Sequence, residues 1–399
     1  MHTAPRGERL IITLLGNRNA GKSSLINAIT GQEIAIVSEI PGTTTDPVDK
    51  RYELLPLGSV TFYDTAGLDD SGELGEKRVK ATIKILYRTD IALFINDGSP
   101  FSASEYETLA RIREMNIPLL MVFNKLDLNP PAEQNIAYCK AQNIRWISVS
   151  AEKGEYITAA KNLIIELAPQ HTKQEKTIIG DLVSPKDRVI LVTPIDSAAP
   201  KGRLILPQVQ VLRDLLDSGA IVLVVREFEL IHALQSLNTD PDLVITDSQV
   251  IKEVVRDLPP GVKLTTFSIL FARYKGDLNI LAEGVRQIDK LLDGDRILIA
   301  EACSHHVQAD DIGRVKLPRW LKEYTGKSLI HEVYSGHDFP ENLEEYALVI
   351  HCGGCMLNPM EQNRRIVEAR RRGVPITNYG LAISKLQGVF ERAVEPFGI

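Results

Sequence analysis

Two groups of residues in this chain have types and spacings that imply chemistry. The first runs Gly16-Asn17-Arg18-Asn19-Ala20-Gly21-Lys22-Ser23, a G-x-x-x-x-G-K-S pattern. A glycine-rich turn lets successive backbone N–H groups close around phosphate oxygens, which carry dense negative charge. Lys22 is expected to reach the β- and γ-phosphates and Ser23 to ligate Mg²⁺. Gly16, Asn19, Ala20, Gly21 and Ser24 complete the nucleotide-binding candidates of this loop. A helix from about Ser24 would aim its positive end at the same phosphates. The second group is Cys303-Ser304-His305 and His351-Cys352-Gly353-Gly354-Cys355, with Cys352 49 positions after Cys303.

The phosphate loop has company in order along the chain. Thr44, in Pro41-Gly42-Thr43-Thr44-Thr45-Asp46, is placed to sense a γ-phosphate through Mg²⁺. Asp64 closes an apolar strand as the metal-linked carboxylate, and Gly67 after it can turn its peptide toward the γ-phosphate. Asn124-Lys125-Leu126-Asp127 follows a third apolar strand. A carboxylate at Asp127 can accept from both N1–H and the 2-amino group of guanine, which adenine does not offer. Ser150-Ala151 then stands behind the base. Five elements in this order, each at a strand end, read as a GTPase domain. Lys22, Thr44 and Gly67 are its catalytic candidates, and Ser23, Thr44 and Asp64 its Mg²⁺ ligands.

The thiols admit several readings. A redox C-x-x-C pair would not need Cys303. Zinc would take Cys303, Cys352, Cys355 and a histidine, His305 or His351. An iron–sulfur cluster would use the three thiolates and tolerate a fourth, non-cysteine position. An inert buried pair is the remaining reading. Cys139, on a helix of the GTPase region, reads as structural.

These residues need elements to position them. Residues 10–16, 60–64 and 119–123 are apolar strand runs, and the fold class is α/β. Charge and a proline over 171–187 mark a linker. Residues 188–194, 220–227 and 242–247 read as strands. They alternate with helices over 206–219, 227–237 and 248–258, and the apolar run 262–271 extends the pattern. That alternation means a parallel or mixed open sheet. His232 reads as a core or interface residue, and Lys201 and Arg203 as a solvated loop. Further strands are expected over 295–303, 328–336 and 345–352, with a helix over 317–326. Asn358 as N-cap, Pro359 at N1, Glu361 three residues past the cap and Gly373 at the far end mark one more helix. Both thiol segments then leave carboxyl ends of strands in an open sheet, where ligand sites gather. The positive end of the helix after Asn358 favours thiolates. The expected architecture is a P-loop GTPase domain (1–170), a linker (171–187), an α/β interaction domain (188–275) and an α/β thiol-bearing domain (276–399).

Composition excludes some classes. The 399 residues are 44% hydrophobic and 25% charged, with net charge −6 and four cysteines. No global positive field draws nucleic acid or an anionic membrane. The cysteines are too few for a disulfide framework. Neither a secretory leader nor a membrane-length apolar run is read, so a cytoplasmic protein is expected.

Residues 8 to about 168 resemble the TrmE–Era–EngA branch of GTPases. That resemblance implies slow intrinsic hydrolysis, because Leu68 stands where many GTPases place a water-orienting glutamine. It also implies that Asn19 helps bind K⁺, and it leaves Glu73 and Glu76 as candidate catalytic acids. The whole chain resembles the [FeFe]-hydrogenase maturation GTPase (HydF) family. The resemblance rests on Cys303-x-His305 and His351-Cys352-x-x-Cys355 behind a GTPase domain. It implies a [4Fe–4S] cluster on Cys303, Cys352 and Cys355, with His305 or His351 as fourth ligand or just behind the ligands, and His306 and Asp310 as further candidates for the fourth position. It further implies a dimer through the middle domain, with an apo-[FeFe]-hydrogenase and two radical-SAM maturases as partners. The protein would carry and deliver the two-iron subcluster precursor. The alternative is a ribosome- or RNA-associated GTPase with a structural zinc domain. The basic stretch 364–373 reads instead as a solvated or docking helix face. A zinc hydrolase lacks a general base beside the thiols.

Overall fold

The computed structural model describes residues 9–31, 48–65, 84–169, 177–195, 204–302, 311–336, 339–340, 342–354 and 357–399. The chain divides into two compact units, Met1–Glu175 and Lys176–Ile399.

Among the described residues the first unit holds strands β1 (Leu10–Leu15), β2 (Val48–Leu54), β3 (Gly58–Asp64), β4 (Ile91–Asn96), β5 (Leu119–Phe123) and β6 (Arg145–Ser148). Their order is β2-β3-β1-β4-β5-β6. β2 runs antiparallel to β3, and the other pairs are parallel. β1, β4 and β5 are buried along their whole length. This is the signature of strands covered on both faces, and it explains their unbroken apolar runs. Ile12 and Leu14 pack with Leu25, Ile26 and Ile29 on one face. Leu15, Phe94 and Phe123 pack with Leu109, Ile112 and Cys139 on the other. Burial pushes the Cys139 thiol up to about 11, which fits a structural residue. The first helix spans Lys22–Thr30, two residues earlier than expected. Gly21 turns into it at φ 89°, and a Cβ there would stand 2.1 Å from the side-chain amide of Asn124. Only glycine fits both demands.

The second unit holds two four-stranded sheets among the described residues. One is ordered β10-β9-β7-β8 from β7 (Arg188–Val192), β8 (Ile221–Val225), β9 (Leu243–Thr246) and β10 (Lys263–Thr266). The other is ordered β12-β11-β13-β14 from β11 (Arg296–Glu301), β12 (Ile330–Ser335), β13 (Leu348–His351) and β14 (Ile376–Asn378). Every pairing in both is parallel. One buried cluster joins them: Ile190, Val192 and Val244 belong with Ile297, Ile299 and Ile350.

Three features depart from the sequence reading. The run 262–271 splits into β10 and the helix Phe267–Lys275, which Thr266 caps by accepting from Ile269 N at 3.1 Å. A short, continuously apolar run has no periodicity to separate strand from buried helix. Part of the expected linker is packed: Ile178 and Ile179 are buried, and the Ile178, Ile179 and Gly180 amides donate to one Asp214 carboxylate oxygen. β8 lies at a sheet edge with Ile221, Leu223 and Val224 exposed. Among the described residues no helix is long and apolar enough to cross a membrane.

Candidate functional sites

The nucleotide site sits where β1, β3, β5 and β6 end, the side of an open parallel sheet where ligands bind. Lys22 is buried, and its ammonium donates to the carbonyls of Gly16 (2.9 Å) and Asn17 (2.8 Å). The ammonium thus lies inside the loop that would receive phosphate. Ser23 Oγ donates to Asp64 Oδ2 at 2.6 Å, so the hydroxyl and carboxylate suited to share a Mg²⁺ already converge. Asn19 adopts a left-handed backbone, φ 58°. Ser24 lies in the first turn of the helix Lys22–Thr30.

Asn124 ties this loop to the base-binding end. Its Nδ2 donates to Ala20 O at 3.0 Å, and its Oδ1 accepts from Ala151 N at 3.0 Å. Lys125 has φ 60°, which turns the chain between Asn124 and Asp127. Ser150 Oγ donates to Asp127 Oδ1 at 2.6 Å, and that bond holds the Asp127 carboxyl below the usual carboxylate range. Lys153 Nζ stands 4.0 Å from Asp127 Oδ2, a neighbour the motif did not announce. Thr44, Gly67, Leu68, Glu73 and Glu76 lie outside the described residues.

In the second unit β11 and β13 are parallel neighbours, with Ala300 paired to His351. Cys352 N donates to Ala300 O at 2.9 Å. Cys352 Sγ accepts from Ala302 N at 3.0 Å and from Gly354 N at 3.4 Å. Ala302 immediately precedes Cys303, so the end of β11 is brought to the Cys352 sulfur. Backbone donors of this kind stabilise negative charge on sulfur, whether a thiolate or a metal-bound thiolate. The helix beyond the loop spans Pro359–Arg371, with Asn358 Oδ1 accepting from Glu361 N at 2.9 Å and Gly373 at φ 69° past its end.

His351 is buried, and both its ring nitrogens are engaged. Nε2 lies 3.2 Å from Arg365 Nη1, and Nδ1 lies 2.7 Å from Cys352 O. Arginine only donates, so Nε2 accepts and Nδ1–H donates to the carbonyl. Burial first, then the Arg365 charge, holds the imidazole pKa down to about 4. Arg365 Nη2 donates to Glu361 Oε1 and Gly336 O, both at 2.9 Å, and its guanidinium stacks 5.3 Å from the Phe339 ring. In this arrangement His351 holds the peptide that carries Cys352 through the Cys352 carbonyl. Arg365 and Glu361 escaped notice as site residues; their i, i+4 spacing was the available signal.

Cys303, His305, His306, Asp310 and Cys355 lie outside the described residues. Among the described residues no group of three or more His, Cys, Asp or Glu side chains could hold a metal ion.

Comparison with known proteins divides the chain into three stretches. A model described as 50S ribosome-binding GTPase matches residues 11–125. The hydrogen maturase F dimerization domain matches residues 178–276, and the hydrogen maturase F tetramerization domain residues 279–396. The two maturase models together span more than half of the chain. The chain belongs to the hydrogen maturase F family. Its N-terminal unit is a GTPase domain. In this family member the thiol loop lies within the tetramerization stretch, and Lys275 within the dimerization stretch.

Among curated relatives, the tRNA modification GTPase MnmE of Prochlorococcus marinus (strain NATL2A) is 39% identical over 150 residues, 37% of this chain and 32% of that protein. GTPase Der of Clostridium botulinum (strain Langeland) is 30% identical over 192 residues, 44% of each chain. The chain therefore spans 32% to 44% of the length of these relatives. Aquifex aeolicus Era bound to GDP and aluminium fluoride aligns at 18% identity and TM-score 0.37, covering 63% of this chain and 98% of that one.

Proposed function

We propose that this protein is a GTP-hydrolysing scaffold that carries the two-iron subcluster precursor and delivers it to an apo-[FeFe]-hydrogenase. Cys303, Cys352 and Cys355 would hold a [4Fe–4S] cluster. When bound, such a cluster supplies an iron whose fourth position can bridge to a second metal unit and release it. The observation that carries this reading is the Ala302 N–Cys352 Sγ bond, which draws the residue that follows β11 and precedes Cys303 to the Cys352 sulfur. The tetramerization match over the same stretch, and the dimerization match before it, support the reading.

The chain's own residues divide the remaining work. Backbone N–H groups stabilise the Cys352 sulfur, and His351 with Arg365 holds the peptide beneath it. Ser23 and Asp64, with Thr44, would ligate Mg²⁺, and Lys22 would neutralise phosphate charge. Asn19 would help hold K⁺. Thr44 and Gly67 would sense the γ-phosphate, so that hydrolysis times partner exchange instead of driving chemistry at the thiols. Two radical-SAM maturases would act upstream, in the cytoplasm. The exposed apolar edge at β8, within the dimerization stretch, suits pairing with a second copy.

The test is anaerobic reconstitution with iron and sulfide, followed by EPR of the reduced protein and of Cys303→Ser, Cys352→Ser and Cys355→Ser. A reduced [4Fe–4S] signal that each substitution removes, and that added imidazole perturbs, is expected. The 50S ribosome-binding description of residues 11–125 favours one other reading, a ribosome-associated GTPase with structural zinc. Tightly held zinc without a cluster signal, together with salt-dependent RNA binding, would select it.

A further inference from the structure

Lys275 ends the helix Phe267–Lys275, which continues directly from β10 in the first sheet of the second unit. Lysine ordinarily keeps its ammonium in water. This one is only 4% exposed. Its Nζ donates to Gly354 O and to Leu357 O, both at 2.9 Å, and lies 5.6 Å from the Phe271 ring. Both acceptors belong to the thiol loop of the second sheet. Gly354 is two residues past Cys352, and Leu357 directly precedes the helix cap Asn358.

The other end of the same helix also meets the second sheet. Ser268 O and Oγ accept from Asn378 Nδ2 at 3.0 and 3.3 Å, and Ser268 Oγ lies 3.7 Å from where a Cβ on Gly353 would stand. Gly354 itself has φ 62°, and a Cβ there would come within 2.3 Å of Gln362 Oε1. The described parts of the loop are therefore held at Gly353, Gly354 and Leu357, with the Lys275 ammonium against the last two.

We propose that Lys275 is a positioning residue of the thiol site. Its ammonium ties the Gly354 and Leu357 carbonyls together, and its charge, delivered from the other sheet, sets the reduction potential of the group the thiols hold. A cation beside an anionic iron–sulfur group favours the reduced form, which carries one more negative charge. The potential effect rests on the iron–sulfur reading; the clamp and the charge do not.

The experiment compares wild type, Lys275→Met and Lys275→Arg as full chains. After anaerobic reconstitution, iron per chain and the midpoint potential are measured by EPR-monitored titration. Lys275→Met should bind iron and shift the potential to more negative values, with Lys275→Arg moving it back toward wild type. Equal potentials in all three would overturn the proposal. Circular dichroism checks folding; if Lys275→Met does not fold, Lys275→Arg decides alone, because a guanidinium breaks the two-carbonyl fit and should alter the EPR g-values. Unchanged g-values and potential would then defeat the proposal. If wild type shows no cluster, the cluster reading fails by itself. Lys275 is then judged in metal-free protein, from the iodoacetamide labelling rate of Cys352 at fixed pH with buried Cys139 as the internal reference. Slower labelling in Lys275→Met, recovered in Lys275→Arg, supports the proposal, and equal or faster labelling in Lys275→Met rejects it.

Discussion

The guanidinium of Arg365 faces the imidazole of His351 across 3.2 Å, and both side chains are almost wholly removed from solvent. Because arginine has no acceptor, that contact dictates which ring nitrogen carries the proton and sends it to the Cys352 carbonyl. His351→Ala is therefore expected to retain iron on reconstitution while changing the shape of the EPR signal. A histidine nitrogen coupling in pulsed EPR of wild type, absent from His351→Ala, would instead make His351 a ligand.

Arg365 also pairs with Glu361, each side chain 2% exposed. Removing one partner strands a buried charge, which costs about 3–5 kcal/mol. Arg365→Met should lower the urea midpoint of the second unit accordingly. A loss below about 1 kcal/mol would show that Glu361 takes up a proton or another partner at little cost.

Asp127 is held ionised by the Ser150 hydroxyl. Asp127→Asn exchanges an acceptor for a donor at the guanine edge. GTP affinity should fall at least about 10²-fold while xanthosine triphosphate, which offers a carbonyl at the 2-position, gains. Ser150→Ala removes the bond that lowers the carboxyl pKa. The carboxylate is present above its pKa and lost as pH falls through it, so the acid limb of GTP binding should move to higher pH. Nucleotide titrations over a pH series read both effects.

Ile221 and Leu223 lie two residues apart on the edge strand β8, on the same face of the strand, and both are exposed. An apolar edge of this kind invites a second strand. The double substitution Ile221→Lys, Leu223→Lys should lower the oligomeric mass measured by light scattering. An unchanged mass would place self-association elsewhere.

Asp214 receives three backbone N–H groups at the entry to the second unit, at 2.7 to 2.9 Å. Asp214→Ala leaves those donors without their acceptor and should cost about 2–3 kcal/mol. Denaturant unfolding of the full chain reads this, with GTP binding by the first unit unchanged.

Much of this protein was legible along the chain. The phosphate loop, the Asn124–Asp127 motif and Ser150-Ala151 are short, and their chemistry is set by neighbours a few residues apart. Burial along the strands explains their apolar runs, and Asn358, Pro359 and Gly373 mark a helix because capping is local. The tertiary structure alone decided the rest. Whether Val224 is core or edge depends on what lies beside β8, and whether Ile178 belongs to a linker depends on Asp214, 36 positions away. Lys275 and Gly354 stand 79 positions apart, and His351 and Arg365 meet only because a loop and a helix fold back over one strand. Residue type and spacing determine which chemistry a segment can perform. Which buried charge finds which partner is decided by long-range packing, because a charge removed from water is tolerable only where the fold brings a complementary group to it.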